Sequence, residues 1–184
     1  MKYLWNVNNI RRTYTTLSVS DIQERCNSLD LKEGKIGVPP HPDKMRKSSV
    51  AFLDSSTSKD LFDLMWHLAS EINKDAFGFD IKAVDDIQYG EYTEDGKYDW
   101  HIDTHWVEPD YHRKISVVIQ LSDSNEYEGG DFEIDWDGWE DWKQGAREKG
   151  TIIIFPSFIR HRVTPVTKGT RKSLIAWIGG EKFR

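Results

Sequence analysis

Cysteine is almost missing from this 184-residue chain, which carries one, Cys26. An internal disulfide is therefore excluded, and a reducing compartment is the fitting one. A structural zinc site is disfavoured too, since it wants four closed protein ligands that usually include thiolates. Cys26 itself reads as a small apolar residue on a helix face. Nor is there an apolar run near the ~20 residues that a membrane span needs. The N-terminal "MKYLWNVNNIRR" has neither an apolar h-region nor a small-residue cleavage site. These absences predict a soluble, cytoplasmic protein with no removable leader and no membrane partner. Positive charge is also short, with 25 Lys and Arg against 31 Asp and Glu and a net charge of -6. That balance argues against binding built on phosphate neutralisation, so no nucleic-acid partner is expected. Internal repeats and long low-complexity linkers do not occur, which predicts a single domain over 1–184. Oligomeric state is not legible.

What is present fits a packed globular domain: 38% hydrophobic residues, 12% of the chain aromatic, and eight tryptophans. In "SVSDIQERCNSLDL" the residues Ile22, Cys26 and Leu29 share a helical face, with Ser20 a candidate N-cap. "KEGKIGVPPHPDKMRKSS" is punctuated by Gly and Pro and reads as a loop. "TSKDLFDLMWHLASEINKDAF" is the clearest helix, because Leu61, Leu64, Met65, Leu68 and Ile72 recur at helical spacing behind Thr57 or Ser58. His67 inside it reads as an ordinary helix histidine. From residue 80 the period shortens to two. "DIKAVDDIQYGEY", "YDWHIDTHW", "RKISVVIQLS", "GGDFEIDWD", "GTIIIFPS", "RHRVTPV" and "RKSLIAWIGG" read as short strands split by turn residues. The expected fold is mainly β, with N-terminal helices and loops over 1–80 supporting a β-sandwich or barrel over 81–180.

Chemistry concentrates in "GKYDWHIDTHW". On a strand His101 and Asp103 point to one face, and Trp100 and Ile102 to the other. An imidazole beside a carboxylate is half of a metal site or half of an acid–base pair. The other half lies about 60 residues on, where the strand "GTIIIFPS" breaks at Pro156 and His161 opens the next stretch. Two histidines and one carboxylate would make a facial ligand set with open positions, the pattern that suits non-haem Fe(II) and O₂. Ten residues later stands Arg171, whose guanidinium can grip a carboxylate bidentately.

With those residues in place, the sequence resembles the Fe(II)/2-oxoglutarate-dependent dioxygenases, in particular their prolyl 4-hydroxylase and PKHD-type branches. The segments "IQYGEYTEDGKYDWHID", "RKISVVIQLSD", "EYEGGDFEI" and "GTIIIFPSFIRHRVTPVTKGTRKSLIAW" carry the likeness, and "RKSSVAFL" resembles a stretch preceding the core. The resemblance implies a double-stranded β-helix, or jelly-roll, core. It implies His101, Asp103 and His161 as both catalytic residues and metal ligands. Arg171 would hold the distal carboxylate of 2-oxoglutarate, Tyr92 would hydrogen-bond this co-substrate, and Trp177 would pack beside the pocket. Ser173 would help hold the same carboxylate. Gln120 stands where related enzymes often have tyrosine, and Arg171 where collagen-type enzymes have lysine. The implied cofactors are Fe(II), 2-oxoglutarate and O₂, with ascorbate as a stimulant. The implied activity is hydroxylation, most naturally of a prolyl residue in a protein or peptide, with release of succinate and CO₂. The alternatives are hydroxylation of a free amino acid or other small molecule, and a non-catalytic jelly-roll binding domain.

The remaining polar residues have plainer readings. Tyr98 is matched in the family, though core packing explains it equally. His105 as a fourth ligand would occlude the open positions. Asp99 is expected to face solvent, and His41 and His112 to be exposed. The acidic–aromatic run 131–142 reads as an edge strand and loop, or else as an acidic rim that would favour a basic partner.

Overall fold

The computed structural model describes residues 4–6, 17–35, 45–104, 109–135 and 146–183. Two α-helices, a π-helical turn (Asn73–Phe77) and thirteen strands are assigned there. Helix α1 (Val19–Asn27) starts at Ser18, one turn's edge earlier than the predicted Ser20. The Ser18 hydroxyl accepts from the Asp21 amide at 3.1 Å, while the Ser18 amide donates to the Asp21 carboxylate at 2.6 Å. This reciprocal capping box satisfies two otherwise orphaned donors and leaves Ser20 inside the first turn. Helix α2 (Lys59–Ile72) buries Leu61, Leu64, Met65, Leu68 and Ile72, the predicted stripe. Its start is tied to α1 by Arg25, which donates to both Asp60 oxygens at 2.6 and 2.9 Å.

The strands, in chain order, are β1 (Leu4–Asn6), β2 (Lys32–Glu33), β3 (Arg46–Lys47), β4 (Ser49–Phe52), β5 (Ala83–Tyr92), β6 (Lys97–His101) and β7 (Tyr111–Gln120). They continue with β8 (Tyr127–Gly129), β9 (Phe132–Ile134), β10 (Thr151–Pro156), β11 (His161–Val163), β12 (Val166–Gly169) and β13 (Arg171–Glu181). They form a seven-stranded sheet in the order β1-β10-β7-β13-β5-β4-β2, a four-stranded sheet β3-β6-β11-β9, and a β12-β8 pair. Every ladder is antiparallel. This is the predicted jelly roll with supporting helices. The N-terminal third does more than support it, because β1, β3 and β4 pair directly with β10, β6 and β5.

The large sheet divides two hydrophobic clusters, which explains its near-continuous apolar sequence. Ile152 and Ile154 of β10, Ile115, Val117 and Ile119 of β7, and Leu174, Ala176 and Ile178 of β13 pack under the helices. The alternate residues Ile153, Phe155 and Val118 join Tyr92, Phe132 and Val163 inside the jelly roll, with Ile175 against them. Gly169 sits at φ 75° in the turn just before Arg171. A Cβ there would collide with the Glu126 carbonyl, so this turn needs glycine. Among the described residues no helix is long and apolar enough to cross a membrane, which says nothing of membrane β-barrels.

Candidate metal centre

Strands β6 and β11 pair so that His161 lies directly across from His101. Their rings stand 4.2 Å apart at the centroids. Each ring is fixed by its own chain: His101 Nδ1 lies 2.7 Å from the Asp99 carbonyl, and His161 Nδ1 lies 3.0 Å from that of Ile159. A carbonyl can only accept, so Nδ1 of each neutral ring carries the hydrogen and Nε2 keeps the lone pair. Both Nε2 atoms face Asp103, at 3.6 Å from Oδ1 for His101 and 3.4 Å from Oδ2 for His161.

Asp103 does not sit on the strand. β6 ends at His101, and Asp103 lies two residues beyond in a bend, where its amide donates to the Ser157 carbonyl at 2.9 Å. Strand alternation was therefore the wrong reason for the right neighbour. It also misplaced Ile102, which lines the cavity instead of facing away. The carboxylate accepts from Ser116 Oγ at 2.7 Å, and Ser116 Oγ lies 2.9 Å from Ser157 Oγ. Ser116 has one proton and gives it to Asp103, so Ser157 donates to Ser116. Burial works against the charged carboxyl, but His161, His101 and Ser116 outweigh it and hold the Asp103 pKa below its usual range. Burial, and then His161, push the His101 pKa down to about 4. At neutral pH His101 is an uncharged ring with a lone pair on offer.

The ligand atoms of His101, Asp103 and His161 all lie within 4.8 Å of one another, the one such trio of His, Cys, Asp or Glu among the described residues. Two atoms bound at right angles to one ion at about 2.1 Å stand about 3 Å apart, so small shifts would close this set on a metal. Two imidazoles and a carboxylate, without thiolate, suit Fe(II) held at one face with the other positions open. The residues fit the ion.

The cluster lines a cavity of about 210 Å³ that also meets Tyr92, Tyr98, Arg171, Ser173 and Trp177. Tyr98, from β6, stacks on the His101 ring at 3.5 Å and 12°. Arg171 is 2% exposed, reaches Ser173 Oγ at 3.2 Å, and lies 5.6 Å from the Tyr92 ring centre. It has no carboxylate partner among the described residues, and a buried, unpaired charge is costly unless a ligand completes it. Its surroundings thus fit a carboxylate. The indole N–H of Trp177 helps hold the Asp103 carboxyl down, yet makes no hydrogen bond of ordinary geometry.

Gln120 takes no part in this cavity, because its Nε2 donates to Tyr127 Oη at 3.0 Å and to the Ser122 carbonyl at 3.3 Å. His112, expected to be exposed, is buried on β7, where its Nδ1 accepts from the Phe183 amide at 3.2 Å. Its polar neighbours disguised a position paired inside the large sheet. Asp99 is partly exposed and lies 3.7 Å from Lys97. His67 is exposed on α2. His41, His105 and 136–142 of the acidic–aromatic run lie outside the described residues. Within that run Phe132 and Ile134 are buried on β9. Its described carboxylates are taken up by arginines: Asp131 by Arg147, Glu133 by Arg162 at 2.6 Å, and Asp135 by Arg160 at 3.7 Å. Sequence reasoning passed over Ser116 and Ser157, which orient Asp103. It also passed over Arg113, whose guanidinium lies 4.1 Å above the Trp177 ring and 3.1 Å from Asp86. The Arg113–Ser116 spacing places both on one stretch of β7, but single polar residues in an apolar strand carry no label.

A jelly roll with this ligand trio defines a non-haem metal oxygenase. Residues 87–179 match the family model of the 2OG-Fe(II) oxygenase superfamily, half of the chain, and the chain belongs to that family. Its cofactors are Fe(II) and 2-oxoglutarate. Among curated relatives, a PKHD-type hydroxylase of Idiomarina loihiensis is 35% identical over 97 residues, 52% of this chain and 40% of its own. One from Synechococcus sp. (strain CC9311) is 25% identical over 162 residues, 85% of this chain and 70% of its own. The first of these relatives are matched over 36–44% of their length. Among solved structures, a Pseudomonas putida prolyl-4-hydroxylase superposes with a TM-score of 0.64 at 17% identity, over 97% of this chain and 89% of its own. A viral collagen prolyl hydroxylase from Paramecium Bursaria Chlorella virus-1, solved as a 2OG complex, gives 0.65 at 19%, over 97% of both chains. These likenesses bear on the fold.

Proposed function

We propose that this chain is an Fe(II)- and 2-oxoglutarate-dependent hydroxylase acting on a prolyl residue of a protein or peptide. The observation that carries it is one cavity holding both a His101–Asp103–His161 cluster and a buried Arg171 without an acidic partner. Relatives named PKHD-type hydroxylases support the hydroxylase reading, and a Trichoplax adhaerens prolyl hydroxylase solved with a peptide fragment supports the substrate class. We take 1–184 as one catalytic domain and its setting as cytoplasmic, consistent with a lone, buried Cys26.

When bound, Fe(II) supplies O₂ activation coupled to oxidative decarboxylation of 2-oxoglutarate to succinate and CO₂, one oxygen atom passing to the substrate. The chain supplies position. His101 and His161 present Nε2 lone pairs because backbone carbonyls hold their Nδ1 hydrogens. Asp103 presents a carboxylate kept ionised by its neighbours and aimed by Ser116. Arg171 would hold the far carboxylate of 2-oxoglutarate, with Ser173 and Tyr92 beside it. Val118, Phe132 and Ile175 line the cavity with apolar surface and exclude water from it.

The test is succinate formation by iron-loaded protein with candidate proline-containing peptides, followed by mass spectrometry of the peptides. The reading expects iron-dependent succinate and a gain of one oxygen on proline. Oxygen on free amino acids alone would remove the peptidyl substrate, and the absence of succinate under all conditions would favour a binding domain.

A further inference from the structure

Besides Arg171, and Arg113 that pairs with Asp86, the same cavity is lined by Arg46. Arg46 belongs to β3, opposite Tyr98 of β6. Its guanidinium lies 4.7 Å from the centre of the Tyr98 ring, whose other neighbour is His101. Arg46 Nε donates to Ser48 Oγ at 2.8 Å, and Nη2 donates to Gln88 Oε1 at 2.8 Å. Both partners are neutral. They fix the plane of the guanidinium and leave its charge and Nη1 without an acidic partner among the described residues.

Arg46 does not act alone. Lys35 lines the same cavity, beside Phe52, which is 56% exposed. Lys35, Phe52 and Gln88 also line an adjoining groove, together with Lys32, Asp30 and Glu33. Neither Lys32 nor Lys35 forms an ion pair among the described residues, whereas Lys47 and Lys97 nearby lie 3.6 and 3.7 Å from Asp95 and Asp99. Asp30 and Glu33 offset the lysines along that groove, whereas inside the cavity Arg46 and Lys35 meet no lining carboxylate except Asp103, a local reversal of field on a protein of net charge -6. Arg171 already serves the co-substrate from deeper in the cavity, so Arg46 is left for the other ligand.

We propose that Arg46, with Lys35 beside it, forms an anion subsite that selects peptide substrates carrying Asp or Glu beside the hydroxylated residue. The inference rests on the peptidyl hydroxylase reading and reverses the expectation of a basic partner. A free amino acid would be held by Arg46 within the cavity. An extended acidic peptide also meets Lys35, with Phe52 as an apolar shelf.

The test is fluorescence anisotropy with the full chain and three labelled short peptides, each with a central proline flanked by Glu, by Gln or by Lys. The Glu peptide binds about tenfold tighter than the Gln peptide, as expected for a charge-assisted hydrogen bond, and salt narrows the gap. Arg46→Gln erases the gap and Arg46→Lys restores part of it. Lys35→Gln, at the exposed rim, narrows it in the same direction even if Arg46→Gln fails to fold. Equal binding of the Glu and Gln peptides, no measurable binding of the Glu peptide, preference for Lys, or discrimination that survives both Gln variants would each overturn the subsite. Binding needs no turnover. A Glu preference without succinate formation therefore sinks the catalytic reading and spares the subsite, while succinate formation without charge preference does the reverse.

Discussion

The two faces of β13 are buried to the same degree and built to opposite ends. Leu174, Ala176 and Ile178 face the helices at 0% exposure and pack into the apolar cluster there. On the other face Arg171 and Ser173 are 2% and 1% exposed, with a charge and, at Trp177, an indole N–H left without ordinary partners. Burial alone therefore does not distinguish core from site. Incompleteness does: buried polar groups are normally paired, and unpaired ones on one face of a fully packed strand mark where a ligand finishes the structure.

This contrast can be pushed at several points. The largest effect is expected on the finished face, where Leu174→Ala should cost about 2–5 kcal/mol in a denaturant titration while sparing the metal affinity of the folded fraction. On the other face Arg171→Met should do the opposite. The denaturation midpoint should hold or rise, since an unpaired buried charge is removed. 2-Oxoglutarate affinity should fall about 10–100-fold, measured by equilibrium dialysis. Ser116→Ala removes the hydroxyl that aims Asp103, and should weaken Fe(II) binding about tenfold in a metal titration. The smallest effect belongs to Cys26, whose thiol burial pushes up to about 12 from an ordinary 9.0. Because the folded value is the higher one, its contribution to stability is intact below about pH 9.0 and is lost as pH rises through about 12. A thiol reagent at pH 8 should therefore leave native protein unlabelled and label it on unfolding.

Much of this was legible in the sequence for physical reasons. The strands β5, β7, β10 and β13 of the large sheet announced themselves through β-branched runs, because that part of the sheet is packed on both sides. α2 was legible through its apolar stripe. His101, His161 and Arg171 were legible as a constellation, since polar groups at those spacings in apolar strands have few other uses. The rest depended on pairing over long distances. β2 and β3 are two residues long and exist through the strands they meet, so a loop was the natural reading of their sequence. Asp103 was found by a strand argument although it lies beyond the strand, in a bend set by Ser157. Arg46 gave no local sign of its place, which comes from the pairing of β3 with β6, across roughly 50 residues of chain.

The central claim is that the unfinished face of β13 and the His101–Asp103–His161 cluster are two ends of one co-substrate site. Equilibrium dialysis of 2-oxoglutarate against anaerobic, Fe(II)-loaded protein tests it most directly. The account predicts about one equivalent retained, with retention lost in both Arg171→Met and His101→Ala. Retention that needs no metal and survives both substitutions would contradict it.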